Sequence, residues 1–96
     1  MVAYSLSSKA AADLEAIYEY TATNFGLNKA RAYLTGLHEQ LESLAGHPAQ
    51  GRGAGELAPG LRRLEYQAHV VFYQPTTAGI RIVRVLHQSM DVRRHL

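Results

Sequence analysis

The sequence contains no cysteine. A disulfide-stabilised scaffold, a cysteine-based zinc site and a thiol nucleophile are therefore excluded. The first residues lack a basic segment followed by a long apolar run, so no secretory signal peptide is expected. No stretch of the chain approaches the about 18 apolar residues that a membrane-spanning helix needs. These absences make a cytoplasmic protein the default expectation.

Lysine is scarce, with only Lys9 and Lys29, and both stand in the first half of the chain. Residues 1–50 carry three cationic side chains against five acids, a balance of −2. Residues 51–96 carry seven arginines against three acids, a balance of +4. Arginine is favoured where planar, bidentate contacts to carboxylate or phosphate groups matter. A GC-rich genome would raise arginine usage without any such role.

The length of 96 residues predicts a single domain over residues 1–96. Hydrophobic residues make up 47% of the chain and charged residues 19%, which is typical of a globular domain. Five histidines are present, but none is paired at the i, i+4 spacing of a helical metal site. We therefore expect no metal site.

The first half predicts one strand and two helices. Val2, Tyr4 and Leu6 alternate along a short strand with one buried side. Ser7 or Ser8 is expected to cap a helix that ends at Gly26. Its apolar stripe consists of Ala10, Leu14, Ile17, Thr21 and Phe25. The acids that fall mostly on its outer side are Asp13, Glu15 and Glu19.

A second helix follows after a very short connection, with Asn28 as its expected cap and Gly46 and Pro48 at its end. Its core seam consists of Leu34, Leu37, Leu41 and Leu44. Helices joined by so short a link must run antiparallel. The seams need a partner surface, and a sheet built from the second half is the one available.

The second half predicts a glycine-rich loop over residues 47–60 and strands over 61–66, 69–74 and 80–86. The short turns between the strands permit only antiparallel pairing, so the fold class is α+β, a helix hairpin on an antiparallel sheet. Alternation places Ile80, Ile82 and Leu86 on one face and Val83 and Val85 on the other. Apolar residues on both faces predict either a central strand or a sheet that helices cover on one side and a partner covers on the other. Residues 88–96 form one helical turn or stay mobile.

This order of elements carries three characteristic segments, Gly60–Leu64, Val70–Tyr73 and Ile82–His87. Together they resemble the RelE/ParE toxin superfamily, and most closely its ParE branch, over nearly the whole chain. Family members commonly read His-x-Arg-x-Asp where this chain reads His87-Gln88-Ser89-Met90-Asp91. Ser89 therefore replaces an arginine, and Arg93 and Arg94 are the alternative source of its charge.

The resemblance implies a toxin of a bacterial type II toxin–antitoxin pair. Such a toxin inhibits DNA gyrase by protein contact, without catalysis or cofactor. It also implies a ParD-like ribbon-helix-helix antitoxin whose flexible arm wraps the toxin in a hetero-oligomer, with no membrane or sequence-specific nucleic acid partner. The residues expected to contact the target are Arg63, Arg81, His87, Asp91, Arg93 and Arg94. Those expected to contact the antitoxin are Tyr18, Tyr33, Leu37, Val83 and Val85.

Two alternatives remain open. The RelE branch cleaves mRNA on the ribosome, and this chain offers candidate groups for that chemistry in Glu65, Tyr73, His87, Arg63, Arg81 and Arg84. Strand alternation, however, groups Arg81 and His87 on one face with Val83 and Val85 between them, which leaves an apolar middle where a nuclease needs charge. His87 could also be a structural histidine beside Asp91. The second alternative is an accessory binding module without toxicity.

Overall fold

The computed structural model describes residues 3–96, which form one sheet and three helices. Val2 of the expected first strand lies outside the described residues. The elements in chain order are β1 (Ala3–Leu6), α1 (Ser8–Phe25), α2 (Leu27–Gly46), β2 (Arg52–Gly53), β3 (Arg62–Tyr66), β4 (His69–Pro75), β5 (Gly79–His87) and α3 (Val92–His95). The predicted α+β class is confirmed.

The five strands lie in the order β1-β5-β4-β3-β2. Strands β3, β4 and β5 form the predicted antiparallel meander. Strand β1, in contrast, pairs in parallel with β5, so the sheet is mixed rather than wholly antiparallel. The parallel pair is possible because the helix hairpin supplies the long crossover that parallel strands need.

The two long helices are joined by Gly26 alone. The Ser7 side chain accepts a hydrogen bond from the Ala10 N–H at 2.9 Å, which confirms Ser7 as the cap of α1. Gly26 adopts φ +96°, a conformation that favours glycine, and it serves both as the C-cap of α1 and as the N-cap of α2. Helix α2 therefore starts before Asn28, and the prediction that Asn28 caps it was wrong.

The helix-facing side of the sheet carries the main core. Buried residues of this cluster are Ala10, Leu37, Leu41, Leu44, Ala45, Val71, Tyr73, Ile80, Ile82 and Val85. The leucine seam of α2 is thereby confirmed as core. The α1 stripe holds only in part, because Phe25 at its end is 60% exposed. Leu6 is 36% exposed, so the prediction that it shares a buried side of the first strand was also wrong.

A β-bulge in β5 changes which residues share a face. Tyr73 pairs with Ile82 while Phe72 pairs with Arg84, which leaves Val83 as the extra residue. An inserted residue inverts the alternation beyond it. Val85 consequently packs into the helix-side core and Leu86 into the opposite cluster. His87 follows Val85 onto the helix side, because it pairs with His69 two positions beyond the Val71–Val85 pair.

The bulge corrects two predicted faces. Ile80 and Ile82 do share the helix side, but Leu86 does not. Arg81 and Val83 lie on the opposite face from Val85 and His87, so these four side chains do not form one surface. We call the face opposite the helices the outer face.

The outer face has its own small core, formed by Ala54, Leu61, Val70, Phe72 and Leu86, with Leu57, Ala58, Val83 and Val92 packed against it. Residues 54–61 and α3 therefore cover this side, so the chain itself, rather than the expected partner, covers these apolar residues of the second face. The predicted loop 47–60 is more ordered than expected, since it contains a short 3₁₀ turn and β2. The tail forms the predicted helical turn.

Tyr73 anchors the segment that leads from α2 to β2. Its hydroxyl is buried, donates to the Pro48 carbonyl at 2.6 Å and accepts from the Gly51 N–H at 3.1 Å. Tyr73→Phe leaves both backbone groups without this partner, so we expect a loss of about 2 kcal/mol in the free energy of unfolding. Urea denaturation measures it, with Tyr20→Phe as the control because Tyr20 is 61% exposed. Equal stability of the two variants would contradict this role.

Candidate functional site

A groove of about 700 Å³ runs between α1 and the far end of the sheet. It exists because β1 ends at Leu6, opposite Ile82, so β1 does not extend along the rest of β5. Its apolar walls are formed by Ile17, Tyr20, Phe25, Val85 and Met90. Three of these side chains are strongly exposed: Tyr20 at 61%, Phe25 at 60% and Met90 at 45%. Helix α1 thus presents a wide apolar surface next to an open strand edge.

Asp13 closes the inner part of that strand edge. Its carboxylate accepts from the Val85 N–H at 2.9 Å and from two nitrogens of Arg84, each at 2.8 Å. The ion pair is largely buried, with 13% of the Asp13 side chain and 15% of the Arg84 side chain exposed. The hydrogen bond from Arg84 to Asp13 raises the pKa of Arg84. The helical position of Asp13 had indicated that it lies on the outer side of α1. That prediction was wrong, because its carboxylate faces β5.

At the other end of the groove, His69 and His87 stand opposite each other on β4 and β5. Their rings lie 5.4 Å apart between centroids, nearly perpendicular at 87°. The Tyr33 hydroxyl is 2.5 Å from Nδ1 of His69, and the Ser89 hydroxyl is 2.7 Å from Nδ1 of His87. Burial lowers the pKa of His69, and the neighbouring His87 adds to that shift. Burial also raises the pKa of Tyr33.

His69 was not among the predicted site residues. A usable signal was present, because the tight turn at residues 67–68 places His69 at the start of one strand of the meander. His87 ends the next strand, so an antiparallel hairpin brings the two together.

Most of the predicted target residues lie on the outer side, away from the groove. Arg63 stacks over the Phe72 ring at 5.5 Å from its centroid, and Arg81 is exposed on the same face. Arg93 and Arg94 are exposed on α3, whose Val92 packs against the outer core. Asp91 caps α3 by accepting from the Arg93 N–H at 3.2 Å. The remaining predicted target residue, His87, lies in the groove instead.

The predicted antitoxin residues also divide. Tyr33 and Val85 line the groove. Val83 is half-buried on the outer face, and Tyr18 is half-buried on α1 without lining the groove. Leu37 is only 1% exposed and packs in the core, so it has no surface to offer a partner.

The candidate nuclease groups are not brought together. Tyr73 is buried, Arg84 is held by Asp13, and Glu65 pairs with Arg52 at 3.1 Å. The bulge separates the faces of Arg81 and His87. Among residues 3–96, no three His, Cys, Asp or Glu side chains converge as metal ligands. Over the same residues, neither long helix has a stretch apolar enough to cross a membrane.

Comparison with known proteins assigns the family. A family described as "ParE toxin of type II toxin-antitoxin system, parDE" matches residues 4–92. The chain belongs to the ParE toxin family. The match spans the groove, the meander and the first residue of α3, whereas Arg93 and Arg94 lie beyond its end. The resemblance found in the sequence is thereby confirmed.

Curated relatives support this ParE membership over the full length. "Toxin ParE1" of Mycobacterium tuberculosis is 43% identical over 94 residues, covering 97% of this chain and 96% of the relative. "Toxin ParE1" of Caulobacter vibrioides is 42% identical over 98 residues, covering 100% and 99%. Among solved structures, "Chromosomal ParDE TA system from P. aeruginosa" matches with a TM-score of 0.76 and 29% identity, covering 91% of this chain and 96% of that one.

Proposed function

We propose that this ParE-family toxin inhibits DNA gyrase in the cytoplasm by protein–protein contact and is neutralised by a ParD-like ribbon-helix-helix antitoxin. The observation that favours a binding toxin over a nuclease is that the candidate catalytic groups are dispersed in the fold. Cleavage of RNA needs an acid, a base and a cation around one phosphate. Here Tyr73, Arg84 and Glu65 are each engaged elsewhere in the fold.

The groove supports the antitoxin part of the proposal. Contiguous exposed apolar surface on a small domain is typical of an interaction site. The open edge of β5 and the apolar side of α1 together suit a segment that orders as it binds. We assign Tyr33 and Val85 to this contact, together with Ile17, Tyr20 and Phe25.

The outer face supports the target part of the proposal. Arg63, Arg81, Arg93 and Arg94 lie on that side, and none of them lines the groove. Arginine forms planar, bidentate contacts with carboxylates and is enriched at the centres of protein interfaces. The proposed target surface and antitoxin groove thus occupy opposite sides of the sheet. Asp91 serves this surface indirectly, by capping α3.

Expression of the chain in growing bacteria tests the proposal. Gyrase inhibition predicts growth arrest, loss of negative supercoiling in a reporter plasmid and intact mRNA. Primer extension on translated messages separates the RelE alternative, because new cuts at the ribosomal A site would contradict the gyrase proposal. Normal growth with folded, antitoxin-free protein would favour the accessory module.

A further inference from the structure

His69 and His87 place two polar, titratable rings side by side in the groove. Neither gyrase inhibition nor general antitoxin binding explains why they are there. The two rings face the groove from neighbouring strands, where apolar side chains form the rest of the wall. Which ring nitrogens carry hydrogen determines what the pair can bind.

For His87 the backbone fixes the answer. The Ser89 N–H points at Nδ1 of His87 at 3.1 Å. A backbone N–H can only donate, so Nδ1 is the acceptor and the ring hydrogen of neutral His87 resides on Nε2.

For His69 the Tyr33 hydroxyl allows two arrangements. It is 2.5 Å from Nδ1 of His69 and 3.4 Å from the Tyr66 carbonyl. Either the hydroxyl donates to Nδ1, or Nδ1–H donates to the hydroxyl, which in turn donates to the carbonyl. The contact of 3.4 Å is long for a hydroxyl donor, which favours the first arrangement, with the ring hydrogen of His69 also on Nε2.

Both Nε2 atoms are available to a ligand. Within residues 3–96, neither Nε2 atom has a hydrogen-bond partner. Neither is among the buried side-chain atoms without a partner, so both are open to solvent. Both rings line the groove. The groove thus offers two N–H donors from adjacent strands, and these donors have no acceptor of their own.

The surrounding charges favour an anion. The titratable and charged groups around the pair are Asp13 and Tyr20 of α1, Tyr33 and Lys29 of α2, Tyr66 of β3 and Arg84 of β5. Asp13 is the one acid that lines the groove within the described residues, and Arg84 and the Val85 N–H already occupy its carboxylate. Lys29 lines the adjoining hollow beside Tyr33.

We propose that His69 and His87 form a carboxylate-binding site at the end of the groove, which seats an Asp or Glu side chain carried by an otherwise apolar segment. The proposal rests on the proposed function for its natural occupant, the antitoxin arm. A carboxylate accepts from both Nε2–H groups at once, and its alkyl stem lies against the apolar wall. An arm with a neutral residue at that position would leave both donors unpaired.

The site predicts a direction of pH dependence. A bound carboxylate favours the protonated ring, so it raises the pKa of His69, which burial lowers in the free chain. The affinity for a carboxylate is therefore greatest at pH values below the pKa of His69 in the free chain. It falls as the pH rises through the pKa of His69 in the complex. Between about pH 8 and pH 5.5 a simple carboxylic acid stays largely ionised, so tighter binding at the lower pH comes from His69.

The full chain can be tested with hexanoate as the probe and hexanamide as its uncharged match. Histidine ¹⁵N spectra should show Nε2–H at both rings at pH 8. Hexanoate should shift both signals saturably and bind about tenfold tighter than hexanamide, more so at pH 6. His69→Gln/His87→Gln should abolish that preference, whereas His47→Gln, which alters an exposed histidine outside the groove, should keep it.

Nδ1–H at either ring, equal binding of acid and amide, or an unchanged preference in the double variant would each overturn the proposal. The tautomer measurement needs no substitution, so a misfolded variant does not remove the test. Because hexanoate binding requires neither gyrase nor antitoxin, failure here is distinct from failure of the proposed function.

Discussion

Asp13→Ala is expected to lower the free energy of unfolding by about 3 kcal/mol. The substitution leaves the Arg84 guanidinium largely buried without its bidentate partner, and it leaves the Val85 N–H without an acceptor. Removing one member of a buried ion pair costs far more than the net value of the pair, because the remaining charge stays out of water. For a domain of this size, that loss is a large part of the total stability.

Urea denaturation measures the effect, with Glu65→Ala as the matched control. Glu65 also forms an ion pair, with Arg52, but its side chain is 63% exposed and that of Arg52 is 71% exposed. Exposed pairs contribute no more than about 1 kcal/mol. Similar losses in the two variants would show that Asp13 does not close the strand edge as described.

Ala16→Arg is expected to weaken antitoxin binding by about 100-fold, because a long cationic side chain then stands in the groove. Ala16 is exposed and lines the groove, so its replacement fills binding volume without entering the core. Ala11→Arg is the matched control, since Ala11 is exposed on the same helix but does not line the groove.

Isothermal titration with the ParD-like antitoxin of the proposed function gives both affinities. Thermal unfolding should show that the two variants are equally stable. Unchanged affinity in Ala16→Arg would place the antitoxin elsewhere on the toxin, and the assignment of the groove would be wrong.

Much of the fold could be predicted because its signals are local. The spacing from Leu34 to Leu44 defines a helix face, Ser7 and Gly26 mark helix ends, and short turns require an antiparallel meander. The prediction that Asn28 caps α2 failed because a glycine can serve as the C-cap of one helix and the N-cap of the next. Gly26 does so here, which shortens the link to one residue.

The site was less predictable because it depends on non-local geometry. The bulge at Val83 follows from how β5 pairs with β4, and no residue type in β5 predicts it. It moves His87 from the expected target surface into the groove. Asp13 looked like a solvent-exposed helix acid, and it became a structural partner only because β1 ends before Arg84 and Val85.

The most direct test of the central claim is a supercoiling assay with purified gyrase and the folded, antitoxin-free chain. We expect the chain to inhibit supercoiling, the antitoxin to restore it, and Arg81→Ala/Arg93→Ala to weaken inhibition while Arg31→Ala, exposed on α2, does not. Full gyrase activity at saturating toxin would contradict the account.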